Sequence, residues 1–323
     1  MDLKRALRRG WSVVSSKYSI YLVLVAMLVA NTILSPVFFS ARNFSNISRQ
    51  ISITTIIAFG QTMLIIAGMI DLASGSVMAL AGLLAVAIYK ATGSLMLAMA
   101  AGIVIGMACN AISGLVVTKF RTPSFIATLA MQTSARGVAL LYTAGQNIYE
   151  IGNFTVFGQS AVMGLPTPVI FMLGVTALTW YLLNHTRFGR YLYAIGGNEE
   201  AARASGIQIN KVKMTAFVAS GALVGLSGVL YMSRVNAGLP NAGVGFEFDA
   251  MTAAVIGGTS FSGGVGTAMG TLAGAFIMGF LGNIMNLMGI GSYMQQIIKG
   301  GIIALAVAYD IMFKSRRAGS NPA

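Results

Sequence analysis

Ten apolar stretches separated by short polar connections constrain this chain more than any motif it carries. A helix needs about 20 mostly apolar residues to cross a bilayer core. Only a backbone that satisfies its own hydrogen bonds is tolerated there. The stretches are Ser19–Phe39, Ile51–Ile70, Val77–Tyr89, Leu95–Thr118, Phe125–Tyr142, Pro168–Asn184, Met214–Met232, Met251–Phe261, Gly266–Met288 and Tyr293–Phe313. Charged residues make up 9% of the 323 positions, against roughly 25% in a soluble domain. So few cannot cover a solvated surface. A soluble enzyme, a disordered chain and a nucleic-acid-binding protein are therefore excluded as readings of the whole. The expected fold is all-α and polytopic, with about ten transmembrane helices in a single domain over residues 19–313, flanked by tails at 1–18 and 314–323.

The net charge of +13 reflects topology. Lysine and arginine near span ends favour the cytoplasm. Lys4, Arg5, Arg8, Arg9, Lys17, Lys119, Arg121, Arg187, Arg190, Arg203, Lys211, Lys213, Lys314, Arg316 and Arg317 all fall on one side if both termini are cytoplasmic. A basic face of this kind also attracts anionic lipid. The first apolar stretch is too long for a signal-peptide core and is kept as a span. Cys109 and His185 are single residues of their kinds, so neither an internal disulfide nor a zinc site is expected.

Val77–Tyr89 and Met251–Phe261 are too short to cross as ordinary helices, unless their ends are misplaced by a turn. Each borders a glycine- and serine-rich break, at Asp71–Ser76 and Gly257–Gly264. Broken helices at membrane depth persist where protein or a water-filled cavity meets the freed backbone groups, which makes both breaks candidate borders of a route through the membrane. The segment Ser74–Ala85 also aligns with Ser262–Ala273, a weak sign of an internal repeat of the sort transporters use. Gly266, Gly270 and Gly274, and the pair Gly102 and Gly106, place small residues on one helix face for close packing.

No phosphate-binding loop of the form G-x-x-x-x-G-K-[ST] is present, so the chain is expected to be no enzyme and to carry no cofactor. Uphill movement of a solute would need an ion gradient or a partner ATPase. Ionisable groups inside spans are few: Asp71, Arg136, Lys299 and Asp310, the last explained by an i,i+4 pair with Lys314. Glu150, Glu247 and Asp249 fall in expected external loops. An ion-coupled sugar carrier using Asp71 is the alternative reading. Between the sixth and seventh spans, Asn198 is a suitable N-cap, Glu199 and Glu200 suit the positive end of a helix, and Gly206 is a suitable stop. A short rigid helix there, in a loop of about 185–213, is what a docking element for a motor subunit requires.

These segments also carry a resemblance. Ile70-Asp71-Leu72 with Gly75-Ser76, Phe125-Ile126-Ala127-Thr128-Leu129 with Arg136-Gly137, Thr186-Arg187-Phe188-Gly189-Arg190, Gly196-Gly197-Asn198 with Gly206-Ile207, and Glu247-Phe248-Asp249-Ala250 leading into Gly257-Gly258-Thr259 occur in order. Along nearly its whole length the chain resembles the membrane-spanning permease subunit of ribose-type ATP-binding-cassette importers. Met69 and Ala73 stand where that family usually has glycine and serine. The resemblance implies two permease copies, or a related pair, in the bacterial inner membrane, with ATP and Mg on a separate ATPase subunit and a periplasmic binding protein that delivers a monosaccharide. It implies a translocation path bordered by Asp71, Ser74, Ser76, Thr259, Ser260, Ser262, Gln295 and Gln296. It implies coupling to the ATPase through Asn198, Glu199, Glu200, Arg203, Ser205 and Gly206. It implies docking of the binding protein on external loops, among them Asn236–Asp249, with Arg42, Arg49, Arg234, Glu247 and Asp249.

Overall fold

The computed structural model describes residues 20–319, with side chains described to residue 308. The basic tail 1–18, the carboxyl-terminal cations and the pairing of Asp310 with Lys314 lie outside what is described. The described residues are nearly all helical: α1 (Ile20–Leu34), α2 (Ala41–Ile66), α3 (Ser74–Thr92), α4 (Leu95–Lys119), α5 (Ser124–Thr143), α6 (Val156–Gln159), α7 (Thr167–His185), α8 (Arg187–Gly197), α9 (Glu199–Ala204), α10 (Ile209–Val235), α11 (Phe246–Ile256), α12 (Ala268–Leu287) and α13 (Ser292–Gly319). A short 3-10 turn precedes α6, and Ala161–Val162 pairs antiparallel with Leu165–Pro166. Among the described residues, six helices are long and apolar enough to cross a membrane: α2, α3, α4, α7, α10 and α12.

Every expected span falls on a helix, but their lengths correct the reading of the breaks. The third span is not short, because α3 runs 19 residues from Ser74 to Thr92, where Gly93 at φ +70° closes it. The eighth is as short as expected, but α11 runs its 11 residues from Phe246 to Ile256, earlier than the expected span by more than a turn. The suggested repeat has no structural counterpart, since Ser74 opens α3 whereas Ser262 lies in a loop that becomes helical only at Ala268. Helix starts follow local chemistry. Ser40, Ser94 and Thr267 each accept a backbone N–H of the first turn, from Asn43, Leu97 and Gly270.

The centre of the bundle is α10, packed on α4, α3 and α2. Lipid tails are as apolar as leucine, so helix contact here depends on close approach rather than on apolar burial. Small residues therefore turn inward. Gly102 and Gly106 of α4 lie against Gly225 and Gly221 of α10, Gly82 of α3 lies against Gly228, and Gly270 and Gly274 of α12 lie against the backbone of Gly257 and Ala253. On α4 the buried face is Ala98, Gly102, Gly106, Asn110, Ser113 and Gly114, while Met96, Leu97, Val104, Ile112 and Leu115 point outward. That inversion of the usual soluble pattern marks a lipid-facing helix.

The segment expected as an external loop behaves otherwise. From the end of α10 the chain turns back into the bundle along α3. Gly238 lies on Leu83 and Val86, and Gly243 lies on Gly75 and Met78, an advance of about 12 Å at the helical rise of α3. Its backbone is met partly by an exchange of hydrogen bonds between Ile148 and Gly238, both 2.8 Å. Consequently α11 begins inside the bundle, and Glu247, only 3% exposed, is no surface group.

Candidate functional site

The two breaks meet. The turn between α2 and α3 and the loop between α11 and α12 are joined by the Gly264 N–H, which donates to the Ile66 carbonyl at 2.8 Å. Gly258, Gly263 and Gly264 take positive φ of 86°, 79° and 75°, conformations that glycine alone adopts without strain. Gly196 of α8 is wedged at the junction: a Cβ there would collide with the Ile66 carbonyl and the Gly264 nitrogen. Tyr193 of the same helix donates its hydroxyl to the Gly266 carbonyl at 2.8 Å.

Asp71 is wholly buried and braces the first break. Its Oδ1 accepts the Ala73 N–H at 2.8 Å, and its Oδ2 accepts Ser74 Oγ and Asn110 Nδ2, both at 3.2 Å. Gln61 Nε2 donates to the Asp71 carbonyl and, at 2.8 Å, to Ser74 Oγ. The turn is pinned from the other side by α5, where Ser124 Oγ accepts Ile70 N–H at 3.0 Å and Thr128 Oγ1 accepts Leu72 N–H at 3.1 Å. These contacts give the freed backbone the protein partners that a break in apolar surroundings needs. Gln61, Asn110, Ser124 and Thr128 were missed by sequence reasoning. The signal available was that each is polar within or beside an apolar run.

Of the residues expected to border a path, Ser74, Ser76, Thr259 and Ser260 are buried within the chain and Ser262 is exposed in the second break. Gln295 and Gln296 lie elsewhere, on α13. Gln295 donates to Asn286 Oδ1 and the Ile290 carbonyl at 2.8 Å each, closing the α12–α13 turn, and Gln296 is exposed.

The short helix of the sixth connection forms where expected. Asn198 Oδ1 accepts the Ala201 N–H at 3.0 Å, and Gly206 ends the element at φ +82°. Glu199 bridges to Arg203 at 2.9 Å and to Lys213 of α10 at 2.6 Å. The Lys213 hydrogen bond, outweighing partial burial, holds the Glu199 carboxyl below its ordinary range. Glu200, Arg203, Ser205 and Gly206 are exposed. A cavity of about 930 Å³ opens between α9, the α4–α5 turn at Arg121–Ser124, and Gly68–Met69 at the first break. Thus α8 touches both breaks from one end of the bundle, and α9, packed against α8, faces the first of them across the cavity.

At the opposite end Arg42 is exposed, and Arg49 donates to the Gln159 carbonyl at 2.7 Å. The Arg234 carbonyl accepts Gln159 Nε2 at 3.1 Å. Glu247 and Asp249 are not there. Both occupy the first turn of α11, where Glu247 Oε1 accepts Gln132 Nε2 and the Gly245 N–H at 3.3 Å, and Asp249 pairs with Lys299.

Residues 43–307 match the family described as the branched-chain amino acid transport system permease component. The ribose import permease protein RbsC of Escherichia coli K12 is 42% identical over 312 residues, covering 95% of this chain and 96% of that protein. The chain belongs to this permease family. RbsC of Bacillus subtilis is 41% identical over 92% of this chain and 93% of its own length, and the D-allose transport system permease protein AlsC of Escherichia coli K12 is 35% identical over 91% of each. No solved structure matches. The permease is a multi-pass protein of the inner membrane and a transport component, not an enzyme.

Proposed function

We propose that the permease forms the membrane path of an ATP-driven importer for a ribose-like aldose or related small sugar. The observation that carries this reading is the placement of α9: an N-capped, ion-paired helix that presents Glu200, Arg203 and Ser205 outward while α8 behind it locks onto both helix breaks. A motor closing on α9 would move the breaks directly. The names of the ribose and allose permeases it resembles support the sugar class.

In this reading about ten helices cross the inner membrane and both termini are cytoplasmic, which puts the cations named above, α8 and α9 on the cytoplasmic side. A second permease copy or a related chain completes the path. ATP and Mg act on a separate ATPase seated on Asn198–Gly206. A periplasmic sugar-binding protein meets the other end, where Arg42, Arg49 and Arg234 lie. Asp71, Ser74, Ser76, Thr259, Ser260 and Ser262 belong to the hinge that opens the route, and Gln295 and Gln296 border its outer end. No residue performs covalent chemistry; alternating access comes from rigid helices moving about the braced breaks.

Reconstitution with the ATPase and binding protein in liposomes tests it. ATP-dependent accumulation of labelled ribose, allose or arabinose is expected. Uptake driven by a proton gradient without ATP would sink the reading.

A further inference from the structure

The breaks present no charged side chain outward, but another face of the bundle does. Lys299 Nζ of α13 donates to Asp249 Oδ2 of α11 at 2.7 Å, and the two side chains remain 27% and 21% exposed. Two residues back on α11, Glu247 is met by Gln132 of α5. One turn along α5, Arg136 donates through Nη1 to the Pro240 carbonyl of the re-entrant segment, in the field of Glu247. Lys299 is flanked by Ile297, Ile298, Ile302 and Ile303, and Arg136 sits well inside α5. Lys299 is about two turns into α13, and Glu247 and Asp249, in the first turn of α11, open a helix that begins inside the bundle rather than at its surface.

A partly exposed ion pair among apolar residues cannot face lipid tails, which offer neither acceptor nor donor; such groups face protein or a water-filled route. The contrast with α4 is direct, since its outward face between the helix ends is Val104, Ala108 and Ile112, all apolar. Thr133 and Gly137 on α5 and Gln296 and Gly300 on α13 are exposed and small or polar, interleaved with the exposed apolar side chains of Val138 and Ile297.

We propose that Asp249 and Lys299, together with Arg136 of α5, line the sugar's route and hydrogen-bond its hydroxyls in transit. The proposal rests on the importer reading above and names the contact residues it lacks. The Lys299–Asp249 pair carries no net charge, so it favours neither anion nor cation, while its charged donor and acceptor suit a neutral polyol. The Asp249 carboxylate accepts hydroxyl protons and the Lys299 ammonium donates to hydroxyl oxygens.

The test uses the complete importer in liposomes, with Cys109→Ser removing the only cysteine. Thr133→Cys and Gln296→Cys are treated with a membrane-impermeant thiol reagent, and Val104→Cys on α4 is the lipid-facing control. Labelling at the first two, none at the control, and severalfold slowing by sugar-loaded binding protein with ATP are expected. In parallel, Asp249→Asn and Lys299→Gln are each expected to lower uptake about tenfold at unchanged complex yield, with a smaller loss for a deoxy analogue that lacks the contacted hydroxyl. Failure of both cysteines to label in every nucleotide state overturns the proposal. So does wild-type uptake of both sugars by both charge variants. Labelling at Thr133 and Gln296 in a complex that imports no sugar overturns the importer reading instead, leaving the face lined by water.

Discussion

Replacing Gly196 by alanine places a methyl group where the Ile66 carbonyl and the Gly264 nitrogen already are. Both obstacles are backbone, so no side chain can swing aside, and the cost belongs at the upper end of overpacking, about 3 kcal/mol. The added group also wedges open the bond from Gly264 N–H to Ile66 carbonyl, about 1 kcal/mol more. Against this, alanine is a better helix residue than glycine by about 1 kcal/mol. The net is about 3 kcal/mol, which for a chain of this size lowers the melting temperature by about 4 °C. Gly197 is the control within one residue, because a Cβ there meets nothing within 4 Å. Gly197→Ala should melt within about 2 °C of the parent. The assay is thermal unfolding of the purified importer in mild detergent, followed by uptake per ATP hydrolysed in liposomes. Gly196→Ala should melt lower and transport less per ATP, because α8 no longer grips the two breaks. Equal melting of the two variants, or full coupling by Gly196→Ala, would refute the argument that α8 is locked to the breaks.

Asp71→Asn places an amide where Asp71 accepts three hydrogen bonds, costing about 1–3 kcal/mol. Uptake per assembled complex should nonetheless persist and stay insensitive to a proton ionophore; complete loss in a fully assembled complex would favour ion coupling. Glu200 is exposed and in no ion pair among the described residues, so Glu200→Lys should leave melting unchanged while lowering uptake per ATP about tenfold, the effect of roughly 1.4 kcal/mol at the ATPase contact. The Glu199 carboxyl is held below its ordinary value of 4.5, chiefly by Lys213. Its anchoring of α9 is therefore fully present above that value and lost as the pH falls through the depressed one. Amide exchange at Ala201–Ser205 should rise on acidification below about pH 4.5 in the parent and show no such step in Glu199→Gln.

The helices and their breaks were legible because each has a local cause. Apolar length sets the spans, Asn198, Ser40 and Thr267 cap starts, and glycines at positive φ mark the stops. The coupling helix was legible for the same reason, with its cap, its acidic first turn and its terminal glycine written within nine residues. The short repeat misled because small residues recur by composition: Ser74 and Ser262 share neighbours but not conformation. Glu247 and Asp249 were misplaced because two carboxylates beside glycines read locally as a loop. What makes them interior is Gly243 lying against Gly75 and Lys299 reaching Asp249 from 50 residues away.

By itself the sequence determined membrane residence, helical class, the number of apolar segments and the place of each interruption, since hydropathy, capping and glycine conformation act over one or two turns. The tertiary structure alone decided what the interruptions touch. That the two breaks join through Gly264 and Ile66, that α8 sits on the junction, that Asn110 and Gln61 satisfy Asp71, and that Lys299 reaches Asp249 all depend on contacts between segments far apart in the chain. Such contacts follow from close backbone approach at paired glycines and from the need of every buried polar group for a partner. Neither requirement leaves a pattern that can be read along one segment.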